Sequence, residues 1–138
     1  MYSLDNDLNK IQRMLIDDEE IMALLDLTGK PNIEVAKRII KRSTWDDLLT
    51  NEKRLCIYPL PSRSTRNEIL FEEVFEVDCH VPTSQDFYAR QIIGRVIDVL
   101  HNKQVNGRYI TFKGMLGELP TASGFYCCGV RFNYYTPV

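Results

Sequence analysis

The stretch Glu68-Ile69-Leu70-Phe71-Glu72-Glu73-Val74-Phe75-Glu76-Val77-Asp78-Cys79-His80-Val81 decides how the chain folds. Its odd positions are Ile69, Phe71, Glu73, Phe75, Val77, Cys79 and Val81, and all but Glu73 suit a core face. Its even positions include Glu68, Glu72, Glu76, Asp78 and His80. A period of two with one apolar face predicts a half-buried strand, with the acids on its solvent side. At about 14 residues it exceeds the usual three to ten of a strand. Part of its hairpin is therefore expected to project beyond the domain.

Working outward toward the N-terminus, residues 54–58 read as a partner strand ended by Pro59 and Pro61. Residues 61–67 hold no apolar side chain after the proline and read as a loop, so 54–81 is one hairpin. On the other side, Pro82, Thr83 and Ser84 open a helix that runs to about His101. Ala89, Ile92, Ile93, Val96, Ile97 and Leu100 fall on one wide stripe that can cover a sheet. Gly94 sits inside this helix, where it costs about 1 kcal/mol relative to Ala, and implies close approach of another backbone. Asn106-Gly107 signals a turn. Strands are expected near 108–113 and 125–135, with Tyr126, Cys128, Val130, Phe132 and Tyr134 sharing a face of the second. Gly114 and Gly117 mark a loop or a bulge between them.

The first forty residues read as three helices. Leu4, Leu8, Ile11 and Leu15 line one face of a helix over 4–16. Asp17 with Glu20 resembles a capping box for a second, short helix that buries Ile21, Leu24 and Leu25 and ends at Gly29 and Pro31. Asn32 would cap a third helix over 33–42. The bases Lys37, Arg38, Lys41 and Arg42 read as a solvated face that complements the end of that helix, rather than as a phosphate site. Trp45, just beyond, is expected to cover the core. The order is roughly α-α-α-β-β-α-β-β. Two hairpins flanking a helix give an antiparallel sheet with helices packed on it, and so an α+β fold.

A chain of 138 residues suits a single domain over 1–138. Its net charge of −2 gives no global pull toward nucleic acid or an anionic membrane. No apolar run approaches the length of a membrane span. Acid near the N-terminus, where a secretory signal would carry base, places synthesis in a cytoplasm. There Cys56, Cys79, Cys127 and Cys128 are expected as free thiols that fill the core. The pairs Cys79-His80 and Cys127-Cys128 fall in strands, where neighbours point to opposite faces, so no metal site is expected.

No phosphate-cradling, dinucleotide, nucleophile-elbow or zinc-protease motif occurs. His80 and His101 are the only histidines, and neither lies on a face with an adjacent cysteine. No catalytic residue and no cofactor are expected, which leaves protein binding as the function. One charge pattern stands out. Residues 60–67 carry Arg63 and Arg66 and no acid, whereas residues 68–78 carry Glu68, Glu72, Glu73, Glu76 and Asp78 and no base. A basic tip on an acidic stem lets the tip of one protomer meet the stem of the next. Arg63, Arg66, Glu68, Glu72 and Glu76 are then the candidate interface residues.

The chain resembles the tail terminator proteins of long-tailed bacteriophages, also called tail-completion or tail-to-head joining proteins. The resemblance covers most of the chain. It rests on size, the N-terminal helices, a hairpin ending in Phe75-Glu76-Val77-Asp78-Cys79-His80-Val81-Pro82, the helix over 84–101, and Val130-Arg131-Phe132-Asn133-Tyr134-Tyr135. It implies a hexameric ring in the neck of the virion, assembled in the host cytoplasm. Such a ring caps the tail tube protein, binds the head-completion protein, and lets DNA pass through its lumen without specific binding. It implies no catalytic residue, cofactor or membrane. The alternatives are another neck or tail tube component, a small metal-dependent enzyme using the strand glutamates, and a nucleic-acid-binding module.

Overall fold

A computed structural model describes residues 3–42 and 52–138, so the expectation for Trp45 lies outside the described residues. Helix α1 (Leu4–Ile16) buries Leu8, Ile11 and Leu15, the stripe that the spacing predicts, and Ser3 caps it by accepting the Asn6 N–H. Helix α2 (Glu19–Leu24) is capped one residue later than expected: Asp18, not Asp17, accepts the Ile21 N–H at 3.0 Å. Asp17 is spent on ending α1, where its N–H closes onto the Arg13 carbonyl at 2.9 Å.

Helix α3 (Asn32–Arg38) is shorter than the 33–42 expected, and Pro31 rather than Asn32 stands at its cap. It gives way directly to β1 (Ile39–Ile40), because two adjacent β-branched side chains are better placed in the buried edge of a sheet than in a helix. Arg38 also departs from the solvated face assigned to it. It is buried, and its guanidinium donates to the carbonyls of Lys53 (2.6 Å) and Leu25 (2.7 Å). Lys53 does the same for Leu24, so two cations close the C-terminal end of α2.

Strand β2 (Arg54–Ser64) runs through Pro59 and Pro61 instead of stopping at them. Beyond Cys56 it has no partner on its outer side among the described residues, and an edge strand has no ladder bond there for proline to lose. Its pairing with β3 (Leu70–Pro82) shifts register between Leu60 and Arg63. A single 3-10 turn, Thr83–Gln85, leads into α4 (Asp86–Leu100), which buries Ala89, Ile92, Ile93, Val96 and Leu100. Gly94 is exposed, and among the described residues nothing lies within 4 Å of where a Cβ would stand, so the close approach expected there is not found among them.

Strands β4 (Gln104–Val105) and β5 (Arg108–Tyr109) form a two-stranded hairpin on the Asn106-Gly107 turn, with both residues at positive φ (51° and 82°). Strand β6 (Thr111–Leu119) replaces most of the expected connection. It carries register shifts between Phe112 and Gly114 and between Leu116 and Glu118, so the glycines mark bulges within a strand. Strand β7 (Phe125–Pro137) closes the chain.

The protein is thus α+β. The main sheet has the order β1-β2-β3-β7-β6. It is mixed rather than purely antiparallel, since β1 runs parallel to β2 and the other pairs are antiparallel. Helices α1 and α4 pack on one face over Phe75, Val77, Cys79, Val130 and Phe132. The Phe75 and Phe132 rings stack at 5.3 Å across the β3–β7 pair. The opposite face of β3 is not the solvent face that its alternation predicts. Val74, Glu76 and Asp78 are all buried there. β3 is central, with β2 on one side and β7 on the other, and their long side chains lie across its acids.

Candidate functional site: the hairpin and the polar sheet face

Every candidate interface residue lies on or beside the β2–β3 hairpin, but they divide into two groups. Arg63, Arg66 and Glu68 are exposed at the tip. Glu72 is half-buried and Glu76 is buried, each held by side chains of its own chain. Glu72 accepts from Asn133 Nδ2 (2.6 Å) and Lys113 Nζ (3.2 Å). The Asn133 amide foremost, with Lys113 and Arg63 nearby, holds its carboxyl below the usual range despite burial. Glu76 accepts from Arg131 Nε at 3.0 Å and from the Tyr58 hydroxyl. Glu76, a candidate interface residue, is thus covered by Tyr58 and Arg131 of its own chain, and Glu72 is engaged by Asn133 and Lys113.

The tip is ordered by its own polar groups. The Thr65 hydroxyl lies 2.8 Å from the carbonyls of both Asn67 and Leu70, and the Asn67 side chain accepts the Ile69 N–H at 3.1 Å. Strand β7 reaches the tip as well, since the Val138 N–H donates to the Ile69 carbonyl at 2.8 Å. From Pro61 to Ile69 only Thr65 is partly covered. Ile69 at the tip is likewise 68% exposed.

Behind the tip, the polar face of the sheet gathers residues that the sequence kept apart. Tyr58 on β2 stands opposite Glu76 on β3, and Arg131 on β7 stands opposite Glu76 from the other side. The Tyr58 hydroxyl contacts Glu76 and lies 2.6 Å from Asp78 Oδ2. Burial, then the neighbouring Glu76, pushes the Asp78 carboxyl up to about 8. Burial opposes the charge on Glu76, but hydrogen bonds with Asp78, Tyr58 and Arg131 outweigh it and hold this carboxyl low. Burial and the two acids push the Tyr58 phenol up.

One residue further along the same face, His80 Nδ1 lies 3.7 Å from Cys56 Sγ. His80 and Cys79 lie on opposite faces of β3, and the cysteine beside His80 comes instead from the adjacent strand β2. Burial raises the Cys56 thiol to about 12, and burial with Arg54 lowers the His80 imidazole, so both stand neutral. A neutral thiol beside a neutral imidazole is a packed contact and not an activated nucleophile. His101 follows α4, and its Nδ1 accepts the Phe112 N–H at 3.0 Å. All four cysteines are buried, with Cys79 opposite Cys128 on the helix side of the sheet. Among the described residues, no cluster of three or more Cys, His, Asp or Glu is arranged to hold a metal ion.

Comparison with known proteins adds a fold and no more. No protein-family profile matches the chain, and no curated protein is similar to it. Nineteen chains of known structure are similar. One of them, designated only by a sequence number, is 12% identical, spans 88% of this chain and 96% of its own, and superposes with a TM-score of 0.51. At that identity the likeness concerns the fold alone.

Proposed function

We propose that the chain is a structural subunit of a long-tailed phage virion, of the tail-terminator kind. In this reading it forms a ring that caps the tail tube and joins it to the head-completion protein, with DNA passing through without specific binding. The observation that carries the reading is the hairpin tip. It is exposed, braced by Thr65 and Asn67, and presents Arg63, Arg66 and Ile69 together. A pre-ordered projection loses little entropy on docking, and a head-to-tail contact whose rotation closes makes a ring. Because Glu72 and Glu76 are engaged within the chain, the tip arginines need acids elsewhere on a neighbour, such as exposed Glu68, Asp17 or Glu19. No catalytic step and no cofactor enter this function.

The test is the double reversal Arg63→Glu, Arg66→Glu, examined by electron microscopy and native mass spectrometry, alone and with tail tubes. Wild-type protein should form rings or cap tubes. The variant should keep the circular dichroism and melting point of the wild type and lose assembly. A variant that still assembles and joins tails removes the tip from the interface. A wild-type protein that never associates with itself or with tubes removes the reading altogether.

A further inference from the structure

Tyr58, Glu76 and Asp78 cannot all be in their usual protonation states. The Tyr58 oxygen contacts a carboxyl oxygen of Glu76 and lies 2.6 Å from one of Asp78. A phenol carries one hydrogen, so it donates to one of the two acids. The second contact is a hydrogen bond only if that acid carries a proton of its own. Arg131 lies 3.0 Å from Glu76 and marks it as the charged member. Asp78 is left with no cation in contact, and its Oδ1 has no hydrogen-bond partner among the described residues. The backbone is shaped around that oxygen: a Cβ on Gly129 would stand 2.3 Å from it.

From this geometry we infer that the three side chains share a proton that locks β2 to β3, and that losing it from Asp78 loosens the hairpin. With the proton gone, two carboxylates face one phenol hydrogen, and a buried charge sits against Gly129 without a partner. The strands then separate most easily at Tyr58, behind the tip. The other groups facing Asp78 do not replace the proton. From β2 these are Arg54 and Cys56, from β3 His80, from β7 Cys127 and Arg131, and from β6 only the Leu119 side chain near Gly129. Arg131 is engaged by Glu76, and Arg54 donates to the Lys37 carbonyl. This inference is independent of the ring.

The folded state holds a proton that the unfolded chain releases above about 3.8, so stability falls as pH rises until Asp78 itself ionises near 8. Denaturant unfolding at pH 6.5 and pH 8.5 reads the effect. At pH 6.5 the histidines of the unfolded chain are about half protonated and at pH 8.5 its thiols about half ionised, and both contributions are common to wild type and Asp78→Asn, so the difference between the two proteins isolates Asp78. Between these pH values the unfolding equilibrium constant should rise at least about tenfold more in the wild type than in Asp78→Asn, which mimics the protonated acid. A carboxyl-carbon NMR titration of the wild type needs no variant and should show Asp78 titrating far above an ordinary aspartate. An ordinary Asp78 titration, or the same pH slope in Asp78→Asn, overturns the proposal.

Discussion

Two glycines show how little the identity of a residue says until its neighbours are known. Gly94 and Gly129 both lie inside regular elements. Gly94 is exposed, with nothing near a modest side chain, so its only effect is the backbone entropy and helix propensity it forfeits. Gly129 is held by contact: the added carbon would meet Asp78 Oδ1 at 2.3 Å and the Val77 carbonyl at 3.3 Å. Gly94→Ala should therefore stabilise the protein by up to about 1 kcal/mol, while Gly129→Ala should cost about 1–3 kcal/mol. Chemical denaturation of both variants checks the pair, and equal effects of one sign would refute it. From sequence, Gly94 drew the prediction of a close approach that belongs to Gly129. The two cannot be told apart without knowing which strand lies alongside.

Among elements, periodicity was legible wherever one face alone meets the core. The stripes of α1 and α4 and the face Cys128, Val130, Phe132, Tyr134 of β7 are buried as spaced. It misled where both faces are buried, as in β3, whose acids lie beneath Tyr58 and Arg131. It also misled where an edge excuses a breaker, as at Pro59 and Pro61. The candidate site was half legible for the same reason. Arg63 and Arg66 lie at the exposed tip where the charge pattern put them and Glu68 lies there with them rather than in the stem, whereas the partners of Glu72 and Glu76 come from β2, β6 and β7 and leave no mark near 72–76. The contact that joins the two clearest periodicities is α4 on β3. Ile93 and Val77 are both fully buried in it. Either one replaced by Ala should destabilise the fold by about 1–4 kcal/mol, more for Ile93 because it loses more carbon. Denaturation midpoints that stay put for both would mean that the helix does not cover this face.

Over the whole molecule, the far ends of the chain are tied by one buried acid. Asp7 on α1 is fully buried beside the stripe of that helix, and it accepts from groups about a hundred residues away. These are Asn106 Nδ2 (2.5 Å), Arg108 (2.5 Å) and the Tyr134 hydroxyl (2.9 Å). Arg108 also donates to Thr136 at 2.8 Å and lies 5.0 Å over the Tyr134 ring. The first helix, the β4–β5 hairpin and the end of β7 thus converge on one carboxylate. Closing such a loop is worthwhile only if the contact is strong, and a buried ion pair of this kind is strongly asymmetric: removing one partner strands the other. Asp7→Ala should therefore cost about 3–5 kcal/mol, since Arg108 keeps only 16% of its side chain exposed. Asp7→Asn, which retains an acceptor oxygen, should cost less. The discriminating measurement is the double variant Asp7→Ala, Arg108→Ala. If the carboxylate chiefly neutralises Arg108, the double variant should be less destabilised than the sum of the singles, by more than the few tenths of a kcal/mol expected of independent sites. Strict additivity would mean that Asp7 holds Asn106 and Tyr134 instead, and that the guanidinium is carried by Thr136 and the tyrosine ring.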